Sequence, residues 1–145
     1  MNTADQYLKA IFVVQQAEGG RASTGALADH LGVSPASVNE MIGKLQDQGL
    51  VEHEKYKGVD LTDDGEVRGR DALQTYCILE RFLRNVLGVN DYREEARQLE
   101  PVIDETVAER LDMIIDRHPN CPDCFDPERD SCHHLGEAEP TAAED

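Results

Sequence analysis

Cysteine and histidine, the residue types best suited to metal or thiol chemistry, cluster near the carboxyl end of the chain. Cys121 and Cys124 form a Cys-x-x-Cys pair, and Cys132, His133 and His134 follow after seven intervening residues. Thiolate and imidazole groups at such spacings are typical of tetrahedral zinc sites. The sequence therefore predicts a zinc site in this tail, which folds back at FDPERDS, with His133 and His134 as alternative fourth ligands.

The function of this tail has several interpretations from sequence alone. In one interpretation the tail is a structural zinc knuckle. In another it is a sensory site whose metal occupancy orders the tail against the preceding helices. It is alternatively a thiol switch, in which oxidation expels the metal and joins Cys121 to Cys124, or an exposed tail without a role. A different cysteine, Cys77, stands alone in an apolar helical pattern and is predicted to be a small buried side chain.

A second set of functional residues begins at Ser34-Pro35, which is typical of a helix N-cap followed by proline at the first helical position. Behind it, apolar residues recur at the helical spacing of a single buried stripe: Val38, Met41, Ile42 and Leu45. The outward face then presents short polar or small residues, which suit contacts with base edges or phosphates: Ser34, Pro35, Ala36, Ser37, Asn39, Glu40 and Lys44. Asn39 suits adenine, Glu40 suits cytosine and Ala36 suits a thymine methyl group.

A basic hairpin tip follows this helix. Lys55, Tyr56 and Lys57 lie between two short strands, residues 50–54 and 59–61. Two further helices precede it, over residues 4–17 and from Ser23 or Thr24 to Leu31. Helix, helix, turn, helix and basic wing is the order of a winged helix-turn-helix, which predicts binding to double-stranded DNA. Because winged helices also dock proteins, a dimeric protein-interaction module without DNA binding is the alternative from another class.

The remaining helices suggest a second domain. A long helix from Thr62 to Gly88 carries apolar residues on more than one stripe, which favours contact with a partner subunit. Shorter helices are predicted over residues 92–100 and 104–115, and regular structure is expected to end at residues 118–119. The predicted fold is mainly α: a winged helix-turn-helix (1–62), a helical dimerisation and metal-binding domain (63–120), a Cys/His-rich tail (121–136) and a disordered acidic end (137–145).

The net charge of −16 argues, taken alone, against nucleic-acid binding, but its distribution changes that inference. Residues 1–62 carry −3 and the remainder −13. A surface so rich in acids suits a high-salt cytoplasm, in which self-repulsion is screened, so a halophilic source is a hypothesis.

The sequence contains no apolar run of about 18 residues, so no membrane span is predicted. No secretory signal is visible either, so a cytoplasmic location is expected. The sequence contains neither a phosphate-binding loop nor a nucleophile elbow, so an enzyme is not predicted.

The order of these elements resembles a known family. Four segments are similar to the iron-dependent repressors, metalloregulators of the diphtheria-toxin-repressor and manganese-transport-regulator type: YLKAIF, ALADHLGVSPASVNEMIGKL, QGLVEHEKYKGVDLTDDG and LERFLRNVLGV. The resemblance implies a homodimer without an SH3-like third domain. It also implies that the protein binds a palindromic operator, and represses or otherwise controls metal-uptake genes, in response to ferrous iron or manganese.

The metal ligands of that family fall on six positions of this chain: Gln6, Tyr76, Glu80, Arg97, Glu100 and Pro101. Only Glu80 and Glu100 are good ligands for a hard cation. Iron or manganese at a residual site is therefore one expectation. The other is that Arg97 pairs with Glu80 or Glu100 and fills the position with an internal ion pair, which would give a metal-blind or thiol-responsive regulator.

Overall fold

The computed structural model describes residues 3–115, 125–126 and 131–132, and the following account concerns those residues. The chain divides into two compact units between Ala72 and Leu73. The first unit contains α1 (Thr3–Glu18), α2 (Thr24–Leu31), α3 (Pro35–Asp47), β1 (Val51–Glu54), β2 (Gly58–Leu61) and the start of α4 (Asp63–Arg81). The second contains the rest of α4, α5 (Tyr92–Leu99), α6 (Glu105–Asp112), β3 (Phe125–Asp126) and β4 (Ser131–Cys132). No described helix has the length and hydropathy needed to cross a bilayer.

Side-chain caps begin the helices of the first unit where the sequence predicts them. Ser23 Oγ accepts a hydrogen bond from the Ala26 amide at 3.1 Å, and Ser34 Oγ accepts one from the Ser37 amide at 3.1 Å. At the other end, α2 stops at Gly32, whose φ of 68° is left-handed. These local signals set the length of α2 and the start of α3 before any packing is considered.

The core of the first unit is apolar. Side chains from α1, α2 and α3 pack with those of the hairpin, and the fully buried members include Leu8, Ile11, Leu27, Val38, Ile42, Leu45 and Val59. Three of the four α3 residues predicted to face inward are buried, and Met41 is half-buried against them. The opposite face of α3 is thereby exposed, as the predicted recognition helix requires.

The hairpin is antiparallel, with Val51 opposite Leu61 and Glu54 opposite Gly58. A backbone bridge joins β2 to the segment before α2: the Ala22 amide donates to the Val59 carbonyl at 2.9 Å, and the Val59 amide donates to the Ala22 carbonyl at 2.8 Å. The wing is therefore tied to the helical core and has a defined direction.

Three parts of the second unit differ from the sequence expectation. The long helix does not run regularly to Gly88: it is α-helical to Arg81 and then π-helical over Phe82–Val86, with the Leu87 amide bonded to the Phe82 carbonyl at 3.1 Å. This π-helical turn contains one residue more than an α-helical turn.

The last helix is also shorter than predicted, because α6 ends at Asp112. Beyond it the Met113 and Ile114 amides bond to carbonyls three residues earlier, which tightens the final turn. Regular structure then resumes after residues 118–119, where the sequence analysis expected none. Strands β3 and β4 pair antiparallel, with Phe125 opposite Cys132 and Asp126 opposite Ser131.

Candidate nucleic-acid interface and metal centre

The amino-terminal half of α3 offers an open face for base contacts. Ala36, Asn39 and Glu40 are all exposed, whereas Val38 between them is fully buried. Ser34 and Ser37 are also exposed, but their hydroxyls bond to one another at 3.0 Å in the cap. This arrangement leaves an amide, a carboxylate and a methyl group to face a partner, and it gives Ser34 the structural role of a cap.

Lys44 lies further along α3 in an exposed ion pair with Glu40, at 3.7 Å between Nζ and Oε1. Such a surface pair contributes little to stability, because both ions are well solvated. Exchange of the carboxylate for a phosphate oxygen therefore costs little, and the position of Lys44 fits the predicted backbone contact.

The wing tip carries a backbone feature that local sequence does not favour. The Lys57 amide donates to the Glu54 carbonyl at 3.0 Å, which closes a turn whose third residue, Tyr56, has a φ of 66°. A left-handed tyrosine costs about 1–2 kcal/mol. Its ring is 93% exposed, and the Lys55 ammonium lies 5.2 Å from the ring centre. The turn is thus held in an unfavourable backbone conformation, and in that conformation an aromatic ring and a cation are exposed to solvent.

The base of the wing is held by close backbone packing. Gly58 has a φ of 95°, and a Cβ atom there would lie 2.6 Å from the Ala22 carbonyl oxygen. Lys57 at the tip pairs with Glu54 at 3.4 Å, and both side chains are largely exposed. The exposed Lys55–Lys57 tip is therefore mounted on a rigid base.

The second unit contains buried charges at positions singled out by sequence. Tyr76 and Glu80 lie one turn apart on α4, and both are buried. Glu100, at the end of α5, is buried as well, whereas Pro101 is exposed. Burial, and then the charges of Glu80 and Glu100, raise the pKa of the Tyr76 hydroxyl, against the opposing effect of Arg97.

Comparison with known families decides what this arrangement belongs to. The amino-terminal DNA-binding domain of the iron-dependent repressors matches residues 1–59, and their metal-binding and dimerisation domain matches residues 62–125. The chain belongs to the iron-dependent repressor family. Both the resemblance and the predicted winged helix followed by a helical domain are confirmed.

Members of this family similar to the chain include regulators named for manganese. The MntR regulator of Lysinibacillus sphaericus is 40% identical over 77 residues, which is 53% of this chain and 55% of that protein. A solved manganese-dependent transcriptional repressor in complex with manganese is 34% identical with a TM-score of 0.67, over 77% of this chain and 51% of that one.

The IdeR structure from T. acidophilum is 25% identical with a TM-score of 0.70, over 98% of this chain and 64% of that one. The chain therefore spans about half to two thirds of the length of these relatives. Since they are named as transcriptional regulators, the prediction that the chain is not an enzyme is confirmed.

The residues present at the family's metal position do not fit a hard divalent ion. Gln6 lies on α1 in the first unit, so Tyr76, Glu80, Arg97, Glu100 and Pro101 are the candidates in the second. Tyr76 is a phenol and a poor ligand for such an ion, Arg97 is a cation, and Pro101 has no side-chain donor. In the described part of the chain, no group of three His, Cys, Asp or Glu side chains is arranged to hold an ion. Iron or manganese at this position stays without structural support.

The predicted tail site lies mostly outside the described residues, among them Cys121, Cys124, His133 and His134. Cys132 is described only as part of β4, opposite Phe125. The chain therefore reverses direction within FDPERDS, as the sequence predicts, while the zinc ligand set stays a prediction.

Sequence analysis missed two residues of the second unit. Arg81 is buried next to Glu80 in the chain, and nothing in the apolar periodicity of α4 distinguishes it from a surface arginine. Phe125 is buried with its ring edge-on to Tyr76, at 6.2 Å between centroids and 72° between planes. The sequence did indicate that Phe125 is unusual, because it is an isolated aromatic residue in a polar tail. The lone Cys77 is buried, as predicted.

Proposed function

We propose that the protein is a transcriptional repressor that binds a palindromic DNA operator as a homodimer in the cytoplasm. The observation that carries the proposal is the pairing of an exposed Asn39–Glu40 face on α3 with the exposed Lys55–Tyr56 wing tip. In such a fold the helix enters the major groove and the wing lies along the backbone. Base contacts then supply specificity, and Lys44, Lys55 and Lys57 supply affinity.

The acidic charge of the protein is compatible with this function. All four lysines of the chain lie within the first 62 residues, and three of them are at the proposed interface. In high salt, counterion release contributes less to binding, so recognition depends more on base contacts and fit. We expect a shallow salt dependence for a DNA-binding protein, since few phosphates are neutralised.

The decisive experiment selects bound fragments from a genomic pool and measures their affinity by fluorescence anisotropy. Asn39→Ala combined with Lys55→Ala is expected to weaken operator binding at least about 10-fold, since a good base contact contributes about 1–3 kcal/mol. Gln16→Ala combined with Arg110→Ala likewise removes one amide and one positive charge, from exposed positions elsewhere, and is the control. Unchanged affinity in the first variant would refute the interface, and no selected DNA would favour the protein-interaction module.

Dimerisation is proposed through the second unit. The family model for its region is a dimerisation domain, and most of the exposed large apolar side chains of the described chain lie there: Val86, Leu87, Leu99, Val102, Val107, Met113 and Ile114. Sedimentation should give a dimer. Val86→Asp combined with Leu87→Asp should yield a monomer that binds single half-sites weakly, because the two recognition helices are no longer fixed at one spacing. The exposed Val67→Asp is the control, and a dimer unaffected by the double change would place the interface elsewhere.

For the metal, we propose that zinc binds the tail through Cys121, Cys124, Cys132 and either His133 or His134. The donor chemistry and the chain reversal between β3 and β4 support this set. Zinc occupancy is proposed to be the signal that changes operator affinity. An oxidant that acts without zinc loss would indicate the thiol-responsive alternative instead.

Elemental analysis tests the tail site. Reduced protein should contain about one zinc per chain, as expected for a closed four-ligand site, and Cys121→Ser combined with Cys124→Ser should abolish it. Cys77→Ala, which changes the buried cysteine of α4, should retain the metal. A carefully reduced sample without zinc would contradict the proposal.

A further inference from the structure

Two carboxylates of the second unit are withdrawn from water. Glu80 is 0% exposed and Glu100 is 1% exposed. Two ionised carboxylates buried near one another require compensating positive charge, because desolvation and mutual repulsion otherwise outweigh any packing gain. In the family this region is a metal-binding domain, so a divalent ion would bring two positive charges. The donor set described above cannot hold one here.

Helix α5 presents an alternative source of that charge. Arg93, Ala96, Arg97 and Glu100 follow the helical spacing of one stripe. Ala96 and Glu100 are buried and mark the inward side of α5, whereas Arg93 and Arg97 are exposed. The two arginines therefore lie along its edge, one and two turns before the buried carboxylate, and Arg97 keeps a long contact of 3.6 Å with Glu94 at the surface.

The electrostatics of the unit connect both arginines to the same buried groups. Helix α5 packs against the π-helical turn Phe82–Val86 that follows Glu80, and Arg97 opposes the effect of Glu80 and Glu100 on the pKa of the Tyr76 hydroxyl. The pKa of Arg93 is raised, first by a hydrogen bond with Tyr92 and also by Glu80 and Tyr76. Arg81 is buried too, and because it follows Glu80 directly, its Cα lies about 100° further around α4.

We propose that Arg93 and Arg97 together supply, as part of the chain, the two positive charges that a divalent metal brings to this position in the family. The helical unit is then neutralised internally at Glu80 and Glu100, and it neither binds nor needs iron or manganese there. Any metal response of the protein has to come from elsewhere in the chain. The proposal rests on family membership and burial, and its test involves no DNA, so it can fail independently of the proposed repressor function.

The first test measures Mn²⁺ binding and thermal unfolding of the full-length protein, with its tail reduced. Mn²⁺ is used because it prefers oxygen ligands over the thiolates of the tail. The wild-type protein should show no Mn²⁺ affinity tighter than millimolar by electron paramagnetic resonance, and its Tm should not change when millimolar Mn²⁺ is added. Mn²⁺ binding that is lost in Glu80→Gln would overturn the proposal.

The second test removes the internal cations. Arg93→Gln combined with Arg97→Gln should lower the Tm by about 5–10 °C, since it removes the positive charge assigned to two buried carboxylates. Millimolar Mn²⁺ should restore at least half of that loss by replacing the missing charge. If the two side chains contributed only packing, Mn²⁺ would not restore the Tm of the variant.

Two controls complete the experiment. Arg84→Gln combined with Arg110→Gln changes the net charge equally within the same unit and should leave both the Tm and its metal response nearly unchanged. Arg93→Lys combined with Arg97→Lys keeps the charge and should retain most of the stability. Equal Tm values for the Gln pair and the control pair would refute the proposal, as would a destabilised Gln pair that Mn²⁺ does not rescue.

Discussion

The two units of the protein bury different kinds of side chain. In the described part of the chain, the buried residues of the first unit are apolar, whereas the second unit buries Glu80, Arg81 and Glu100. Apolar packing depends little on salt, pH or ions, but buried charges depend on their partners. The difference indicates that the first unit is held by apolar packing, whereas the stability of the second depends on how its charges are neutralised.

The first unit is also held by close approaches of the backbone. Gly65 and Gly69, on consecutive turns of α4, let the helix pass against the backbone of Leu50 and Leu8, respectively. Arg68 on the same helix donates two hydrogen bonds to Asp5 Oδ1, at 2.7 and 3.1 Å. The start of α4 is therefore built into the first unit, and helix α4 continues from it into the second.

The largest expected effect tests the rigidity of the first unit. In Gly65→Ala the new Cβ atom would overlap the Leu50 carbonyl oxygen, so the free energy of unfolding should fall by about 3 kcal/mol. Gly25→Ala is the matched control: no atom lies within 4 Å, and alanine should stabilise α2 by about 0.5–1 kcal/mol. Urea unfolding measures both. Tolerance of Gly65→Ala would mean that close packing does not hold this unit.

The next prediction sets the two units against one another in salt. Residues 73–145 carry −11 and residues 2–72 carry −5, so dialysis to low salt should loosen α5 and α6 before α1–α3. Hydrogen exchange should show amide protection in α5 falling at least about tenfold, or about 1.4 kcal/mol, while α3 changes little. Equal loss of protection in both units would contradict the comparison between them, and no loss in either unit would contradict the halophilic hypothesis as well.

A pH titration separates the units through their buried tyrosines. The ordinary pKa of 10.0 is raised for Tyr76 by burial, Glu80 and Glu100, and for Tyr7 by burial and then Glu40. The folded state therefore keeps a proton that the unfolded state loses, and stability falls as the pH rises above about 10, by up to about 1.4 kcal/mol per pH unit for each tyrosine.

Tyr76→Phe should flatten that fall more than Tyr7→Phe, because two buried carboxylates lie beside Tyr76. Denaturant unfolding at a series of alkaline pH values measures the slopes. If the wild type and both variants share one slope, the tyrosines are not shielded as described.

The smallest expected effect is a trade between stability and function at the wing. Tyr56→Asn should stabilise the protein by about 1 kcal/mol, because asparagine tolerates the left-handed conformation. Operator affinity should fall a few-fold, since the ring and its contact with Lys55 are lost. Tyr56→Phe keeps the ring and should retain both the strain and the affinity. A stabilised Tyr56→Asn with full affinity would show that the ring has no part in binding.

Sequence reasoning succeeded wherever the determinants are local. Caps at Ser23 and Ser34, the left-handed stop at Gly32 and the inward stripe of α3 follow from residue type and spacing. For the same reason the exposed face of α3 and the wing tip could be proposed as an interface before any coordinates were known. The short span of the chain between these signals left little freedom in how they connect.

Other features have no local cause. The π-helical turn at Phe82–Val86, the end of α6 at Asp112 and the pairing of β3 with β4 are not marked in the apolar pattern of the sequence. Apolar periodicity predicted a regular helix through Phe82–Val86 and a longer α6. It counts apolar side chains and does not register how the backbone fits its neighbours.

The sequence by itself determined the winged helix, its exposed polar face, its basic tip and the family, since each depends on short-range patterns of residue type. It also showed that four of six metal positions carry unsuitable residues. Only the tertiary structure decided that Glu80 and Glu100 are both withdrawn from water while Arg93 and Arg97 of α5 stay exposed. The physical reason is that a carboxylate's cost and its partners depend on burial, which is set by the packing of distant segments and not by spacing along the chain.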